Sequence, residues 1–275
     1  MTPASDRRAA EALLAFWAEA GVEALYADAA IDRLAEGAER LRARARPTPP
    51  PPPPTPIRPA RPGVPNIDIA AALAQAHQLA ASAQTLEQLG EAIAAFEGCP
   101  LRYEGARQAV FYRGVVDAPV MVIGEGPGAD EDAQGQPFVG RAGKLLDRML
   151  AAAGLTDRVF ITNTVFWRPP GNRTPTPAEQ AVCAPFLERA VALVKPRMLL
   201  LAGGASAKAV LKRDEGILAM RGRWFEWKST DGALDLPAMP TLHPAFLLRQ
   251  PAAKKKAWQD LLTLTERLDR QGRPA

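Results

Sequence analysis

The run Val120-Met121-Val122-Ile123 is short, wholly apolar and followed at once by Gly124-Glu125-Gly126-Pro127-Gly128. Four apolar residues with no polar alternation suit a strand covered on both faces. A helical pattern follows the glycines, with Leu145, Leu146, Met149 and Leu150, and stops at Gly154. Strand, glycine-rich turn and helix make a place where backbone can approach a ligand closely. The same logic applies to Val159–Thr162 and Met198–Leu201, and Met239–Leu242 reads as a further strand ending at His243. Helical patterns lie between, one of them opened by Thr176-Pro177-Ala178-Glu179 with a capping box and proline at the first helical position. This alternation predicts an α/β sandwich around a mainly parallel, four-stranded sheet. Val110–Tyr112 reads as an edge strand and Trp224–Trp227 as a strand or hairpin arm. Sheets of this class bind ligands beyond the carboxyl ends of their strands, where Glu125, Asn163 and His243 fall.

The rest of the chain divides by composition. Residues 6–45 read as helical, with Leu13, Leu14, Trp17, Ile31, Leu34 and Leu41 as apolar positions and a basic end at Arg40, Arg42, Arg44 and Arg46. This N-terminal helical appendage, residues 1–46, is either a solvated module or an accessory contact to DNA or a repair or replication partner. Residues 47–65 hold eleven of the 27 prolines, including the unbroken run Pro49–Pro54. Proline lacks an amide donor and fixes φ, so this segment is expected to be a semi-stiff linker. Residues 66–275 are then the catalytic unit. They open with a helical hairpin whose second helix is capped at Thr85, with Gln88 three residues on, and stops near Gly98. His77, among alanines, reads as a surface or packing residue.

Lys and Arg outnumber Asp and Glu 34 to 30, a mild excess that permits a nucleic-acid partner without demanding one. No apolar run reaches the roughly 18 residues that span a bilayer. Two distant cysteines, Cys99 and Cys183, give no disulfide framework. With no signal peptide recognised, a cytoplasmic location, no membrane and a monomer are the expectations.

The glycine loop alone fits a nucleotide-binding turn, but its spacing lacks G-x-G-x-x-G and no Gly-Lys-Ser/Thr follows. Its acidic residues, Glu125, Asp130, Glu131 and Asp132, would repel phosphate, whereas a loop that draws water toward an electron-poor carbon needs a carboxylate. Asn163 closes a strand, and its amide can match the paired donor and acceptor of a nucleobase edge; the alternative is a turn or cap residue. Phe138 either packs beneath its loop or stacks on a base. His243, between Leu242 and Pro244, is a candidate donor at a strand end. The following Phe246, Leu247, Leu248 and Arg249 read as a wedge for a base stack or as the start of a packed helix. In Arg168-Pro169-Pro170-Gly171-Asn172-Arg173 the arginines suit DNA phosphates, with a generic connector as the alternative.

Taken together, Gly-Glu-Gly-Pro-Gly, Glu131-Asp132, Pro137-Phe138-Val139-Gly140, Ala142-Gly143, Asn163, Arg168-Pro-Pro-Gly-Asn-Arg and His243-Pro-Ala resemble the family 4 uracil-DNA glycosylases over about residues 97–266. The resemblance implies a three-layer α/β/α sandwich and hydrolysis of the uracil N-glycosidic bond in DNA, with the base flipped from the stack. It implies that Glu125 and Glu131 are the loop carboxylates, with Glu125 positioning water. It further implies that Gly126 borders the base, Phe138 stacks on uracil, Asn163 reads its edge and His243 donates to a uracil carbonyl. Arg168, Asn172, Arg173, Leu247 and Arg249 are the expected DNA contacts. The family also implies a 4Fe-4S cluster on four cysteines. Here the four positions are Phe96, Cys99, Trp167 and Cys183. Clusters need thiolates, so the expectation is no cofactor, with Phe96 and Trp167 as an apolar plug and the two cysteines as remnants. No covalent-trapping insertion follows Asn163, so turnover is expected.

Overall fold

The computed structural model describes Pro65 and residues 67–272, all within the second of two units into which the chain divides, Ala60–Ala275. The helices expected over residues 6–45, the linker up to residue 64 and Asn66 lie outside the described residues.

Two helices come first, α1 (Ile69–Ser82) and α2 (Leu86–Ala95). The Asp68 carboxylate caps α1 by accepting from Ala70 N and Ala71 N. Thr85 Oγ1 accepts from Gln88 N at 3.2 Å. The Gln88 side chain does not complete the expected box; its Oε1 accepts from Gln84 N instead, at 2.7 Å. Helix α2 ends at Ala95, short of Gly98. Gly98 answers a packing need, since a Cβ there would lie 2.5 Å from the Phe96 ring.

Among the described residues the sheet has six strands: β1 (Arg113–Gly114), β2 (Val120–Gly124), β3 (Val159–Asn163), β4 (Met198–Ala202), β5 (Phe225–Lys228) and β6 (Asp235–Thr241), in the order β1-β3-β2-β4-β6-β5. The middle four are parallel, as the apolar runs predict, with Gly124 opposite Asn163 and Ala202 opposite Thr241. Strands β1 and β5 add antiparallel edges. The edge strand expected at Val110–Tyr112 forms instead at Arg113–Gly114. Upstream, Val110 N donates to Phe166 O and Phe111 O accepts from Thr162 Oγ1, which are single contacts and not a ladder. Strand β6 begins four residues before Met239 because β5 pairs along Asp235–Ala238.

The remaining helices are α3 (Ala129–Gln134), α4 (Arg141–Ala152), α5 (Pro177–Val194), α6 (Gly204–Leu211), α7 (Ile217–Met220), α8 (Pro244–Arg249) and α9 (Lys254–Gly272). Successive strand residues face opposite ways, so both faces of the apolar strands need cover. Met121, Ile123, Phe160 and Leu199 pack with Ala76, Ile93 and Phe186 of α1, α2 and α5. Val120, Val122, Ile161 and Leu200 pack with Leu146, Leu150, Leu261 and Leu264 of α4 and α9. Each fully buried Leu, Ile or Phe contributes about 1.5–3 kcal/mol by leaving water, and these layers set the sheet's carboxyl edge in place. Among the described residues no helix is long and apolar enough to cross a membrane.

Candidate active site

The carboxyl ends of β2, β3 and β6 deliver Glu125, Asn163 and His243 to one cavity of about 510 Å³. Gly126, Glu131 and Phe138 line the same cavity, as do Asn172, Arg173 and Arg249. Residues distant in sequence meet here because parallel strands end on one edge of the sheet.

Asn163 is 1 % exposed, and its Oδ1 is a buried side-chain atom without a hydrogen-bond partner. Leaving such an atom unmet costs about 1–3 kcal/mol, which a ligand donor would recover. Gly124 gives it room: a Cβ there would lie 2.4 Å from Asn163 Oδ1 and 2.5 Å from the Phe138 ring. Phe138 has φ of 56°, a left-handed conformation costing an aromatic residue about 1–3 kcal/mol. Its ring centroid stands 5.7 Å from that of His243 at 31°. Gly143, in the first turn of α4, admits this backbone, because a Cβ there would lie 1.6 Å from Phe138 O. From the edge strand, Arg113 Nε donates to Pro137 O at 2.7 Å and Nη2 to Phe138 O at 3.1 Å.

His243 also caps α8. Its Nδ1 accepts from Ala245 N at 3.1 Å, so the neutral ring carries its proton on Nε2. Burial, and secondarily the Arg249 charge, lowers its pKa from 6.5 to about 4 against an opposing pull from Glu131. The imidazole is therefore neutral at pH 7 and remains a donor. Gly203, at φ of 102°, passes beneath it, where a Cβ would lie 2.9 Å from His243 Cβ.

The two loop carboxylates differ. Glu131 Oε2 accepts from Gly128 N at 3.0 Å and Oε1 from Gly140 N at 2.9 Å, so it staples the two ends of the loop. At Glu125 the carbonyl is the engaged group, accepting from Thr164 Oγ1 at 2.6 Å. Glu125 lines the cavity.

The expected DNA contacts separate as well. Arg173 reaches the Glu179 oxygens at 2.6 and 2.9 Å and Glu104 at 3.0 Å. Burial raises the Glu179 pKa, but the Arg173 and Thr176 hydrogen bonds outweigh it and hold the carboxyl below its ordinary value. This guanidinium is committed to carboxylates. Arg168 Nε donates to Asn172 Oδ1 at 2.8 Å, holding that loop's turn. Leu247 corrects the expected wedge: it is fully buried, packed with Leu145, Leu242 and Ala257. The half-buried apolar neighbours are Phe246 and Leu248. Arg113 and Thr164 escaped sequence reasoning, because neither lies within a motif.

A second convergence lies in the helical layer. Cys99 and Cys183 are fully buried, with Sγ atoms 4.0 Å apart. Burial, reinforced by Cys99, pushes the Cys183 thiol well above its usual pKa. Phe96 and Trp167 take the other two positions, with centroids 6.4 Å apart, and Phe186 packs edge-on to Phe96 at 5.1 Å. Two thiols and two aromatic rings do not fit a four-thiolate cluster.

Residues 111–262 match the uracil DNA glycosylase superfamily. The chain is 38 % identical over 181 residues to the type-4 uracil-DNA glycosylase of Pyrobaculum aerophilum, covering 64 % of this chain and 91 % of that protein. It is 35 % identical over 188 residues to that of Sulfurisphaera tokodaii, covering 66 % and 84 %. Against the Thermotoga maritima protein of the same name it is 35 % identical over 168 residues, covering 60 % and 84 %.

Proposed function

The chain belongs to the uracil-DNA glycosylase superfamily, and from that premise we propose how its residues hydrolyse the N-glycosidic bond of deoxyuridine in DNA. The enzyme is a monofunctional DNA-repair glycosylase that leaves an abasic site. The observation carrying the residue assignment is the orphaned Asn163 Oδ1 beside a neutral, Nε2-protonated His243. Asn163 Oδ1 accepts from uracil N3–H while its amide nitrogen donates to O4. Phe138 stacks on the ring and Gly126 borders it. As the C1′–N1 bond breaks, its electron pair passes to uracil, and His243 Nε2–H donates to O2 where the charge collects. Glu125 holds the water whose oxygen bonds to C1′ and accepts that water's proton as the sugar loses its positive charge. Glu131, with both oxygens on backbone amides, is a positioning residue for the loop that carries Glu125.

Outside the base pocket, Arg249 and the turn held by Arg168 and Asn172 contact phosphates, and Arg173 shapes the loop through Glu179. The 4Fe-4S cluster of the family is replaced in this reading by the Phe96–Trp167 plug, and catalysis needs no metal. The enzyme acts as a cytoplasmic monomer, with residues 66–275 as the catalytic unit, 47–65 as linker and 1–46 as a partner-binding appendage. The deciding experiment incubates the protein with an end-labelled oligonucleotide carrying one uracil and then adds alkali. A break at that position is expected, reduced at least a hundredfold in His243→Ala; an intact strand with wild-type protein overturns the reading.

A further inference from the structure

Arg113 lies outside the motifs that define the site, on a two-residue edge strand, yet its guanidinium ends on the backbone of the base-stacking loop. Nε donates to Pro137 O at 2.7 Å, and Nη2 donates to Phe138 O at 3.1 Å and to Asp147 Oδ1 at 2.6 Å. Arginine's planar fork suits this, since its donors point in fixed, nearly parallel directions and reach two successive carbonyls together. Asp147, on α4, accepts from the same Nη2 that donates to Phe138 O. The ion pair itself is partly exposed, with side chains 21 % and 51 % accessible, and such pairs contribute little to stability. Its value is geometric.

What the fork holds is a conformation the chain resists. Phe138 sits at φ of 56°, where an aromatic residue persists only if its surroundings over-determine it. Gly143 and Gly124 make room for that conformation, the first beside the Phe138 carbonyl and the second beneath its ring. Neither supplies an attraction. Arg113 does, by giving the Pro137 and Phe138 carbonyls charge-assisted donors. Its own placement depends on Gly114, at φ of 101°, where a Cβ would lie 2.3 Å from Val159 O. The edge strand can thus close on β3 and direct residue 113 at the loop.

We propose that Arg113, anchored by Asp147, is a positioning residue that locks Phe138 in its base-stacking conformation. This rests on the reading that Phe138 stacks on uracil. Without the fork, the 137–138 peptide relaxes toward negative φ, the ring leaves its place opposite His243, and the flipped base loses one face of its pocket. Binding suffers more than chemistry, because Asn163 and His243 keep their own supports.

The test is a double-mutant cycle on uracil release from an oligonucleotide, well below the melting temperature of every variant. Arg113→Ala is expected to lower kcat/KM about tenfold, mostly through KM, with Arg113→Lys recovering part of the loss. In a Phe138→Ala background Arg113→Ala is expected to have no further effect, because the ring it positions is gone. A general structural lesion would instead cost the same factor in both backgrounds. Equal factors, or wild-type kinetics in Arg113→Ala, overturn the proposal. Full activity in Phe138→Ala alone would overturn the stacking assignment beneath it, while the cleavage assay on wild-type protein decides the activity separately.

Discussion

The cavity lined by Glu125, Asn163 and His243 and the aromatic cluster around Phe96 are both places where side chains from separate elements converge, and they are built on opposite terms. The cavity keeps space, an unmet acceptor on Asn163, a strained Phe138 and a histidine forced neutral. In the Phe96–Cys99–Trp167–Cys183 region none of the four residues sits at positive φ, and their side chains are each at most 2 % exposed. Where the requirement is directional donors and acceptors, side-chain identity is restricted. Where the requirement is volume between helices and sheet, thiol and aromatic ring can exchange roles. The difference predicts that changes in the cavity register in rate and changes in the plug register in stability.

The largest effect is expected at Asn163. Replacing it with alanine removes the amide proposed to read the uracil edge, and loss of one such directed group lowers rates about 10²- to 10³-fold. The melting temperature should hold or rise, since the substitution deletes an unsatisfied buried atom; calorimetry beside the cleavage assay reads both. A marked fall in stability would erase the contrast between the regions. Next comes Phe96→Ala, expected to cost about 3–5 kcal/mol of stability by opening a cavity, with kcat/KM close to wild type at temperatures where the variant stays folded. Denaturant titration measures the first and uracil release the second.

A subtler effect concerns His243. An NMR titration should place its pKa near 4 and not 6.5. Arg249→Leu should move it upward, toward the free value, by removing a repelling positive charge. The linkage has a definite sign. Between pH 6.5 and 4 the unfolded histidine binds a proton and the folded one does not, so this group lowers stability as pH falls through that window and has no effect above it. The smallest effect is expected for Cys183→Ala, on the order of 1 kcal/mol, with unchanged activity; a severe loss of activity would show that the thiols do more than fill space.

Much of the fold is legible in the sequence because the physics is local. Short apolar runs at Val120–Ile123, Val159–Ile161 and Met198–Ala202 mark three of the four parallel strands, and strand termini then place Asn163 and His243 at one edge of the sheet. What escapes is settled by long-range contacts. The Arg173 guanidinium is expected on phosphate, but its partners Glu179 and Glu104 are visible only once the chain is folded. Leu247 sits in a six-residue helix too short to display a periodicity, so its burial against Leu145 and Ala257 cannot be read from spacing. Arg113 has a neighbourhood that predicts a strand three residues early, and nothing nearby announces two carbonyls from residues 137 and 138. The differing tasks of Glu125 and Glu131 depend on where Gly140 N lies, which is likewise a property of the closed loop.

The packed rings of Phe96 and Trp167 bear on how such a protein is made. A polypeptide whose interior is completed by inorganic iron and sulfide must await delivery machinery, and air can later dismantle what was delivered. We propose that here the Phe96 and Trp167 rings stand in for such a cluster. On that proposal, maturation reduces to folding, and the repair enzyme would carry its own interior through oxygen exposure and iron scarcity alike.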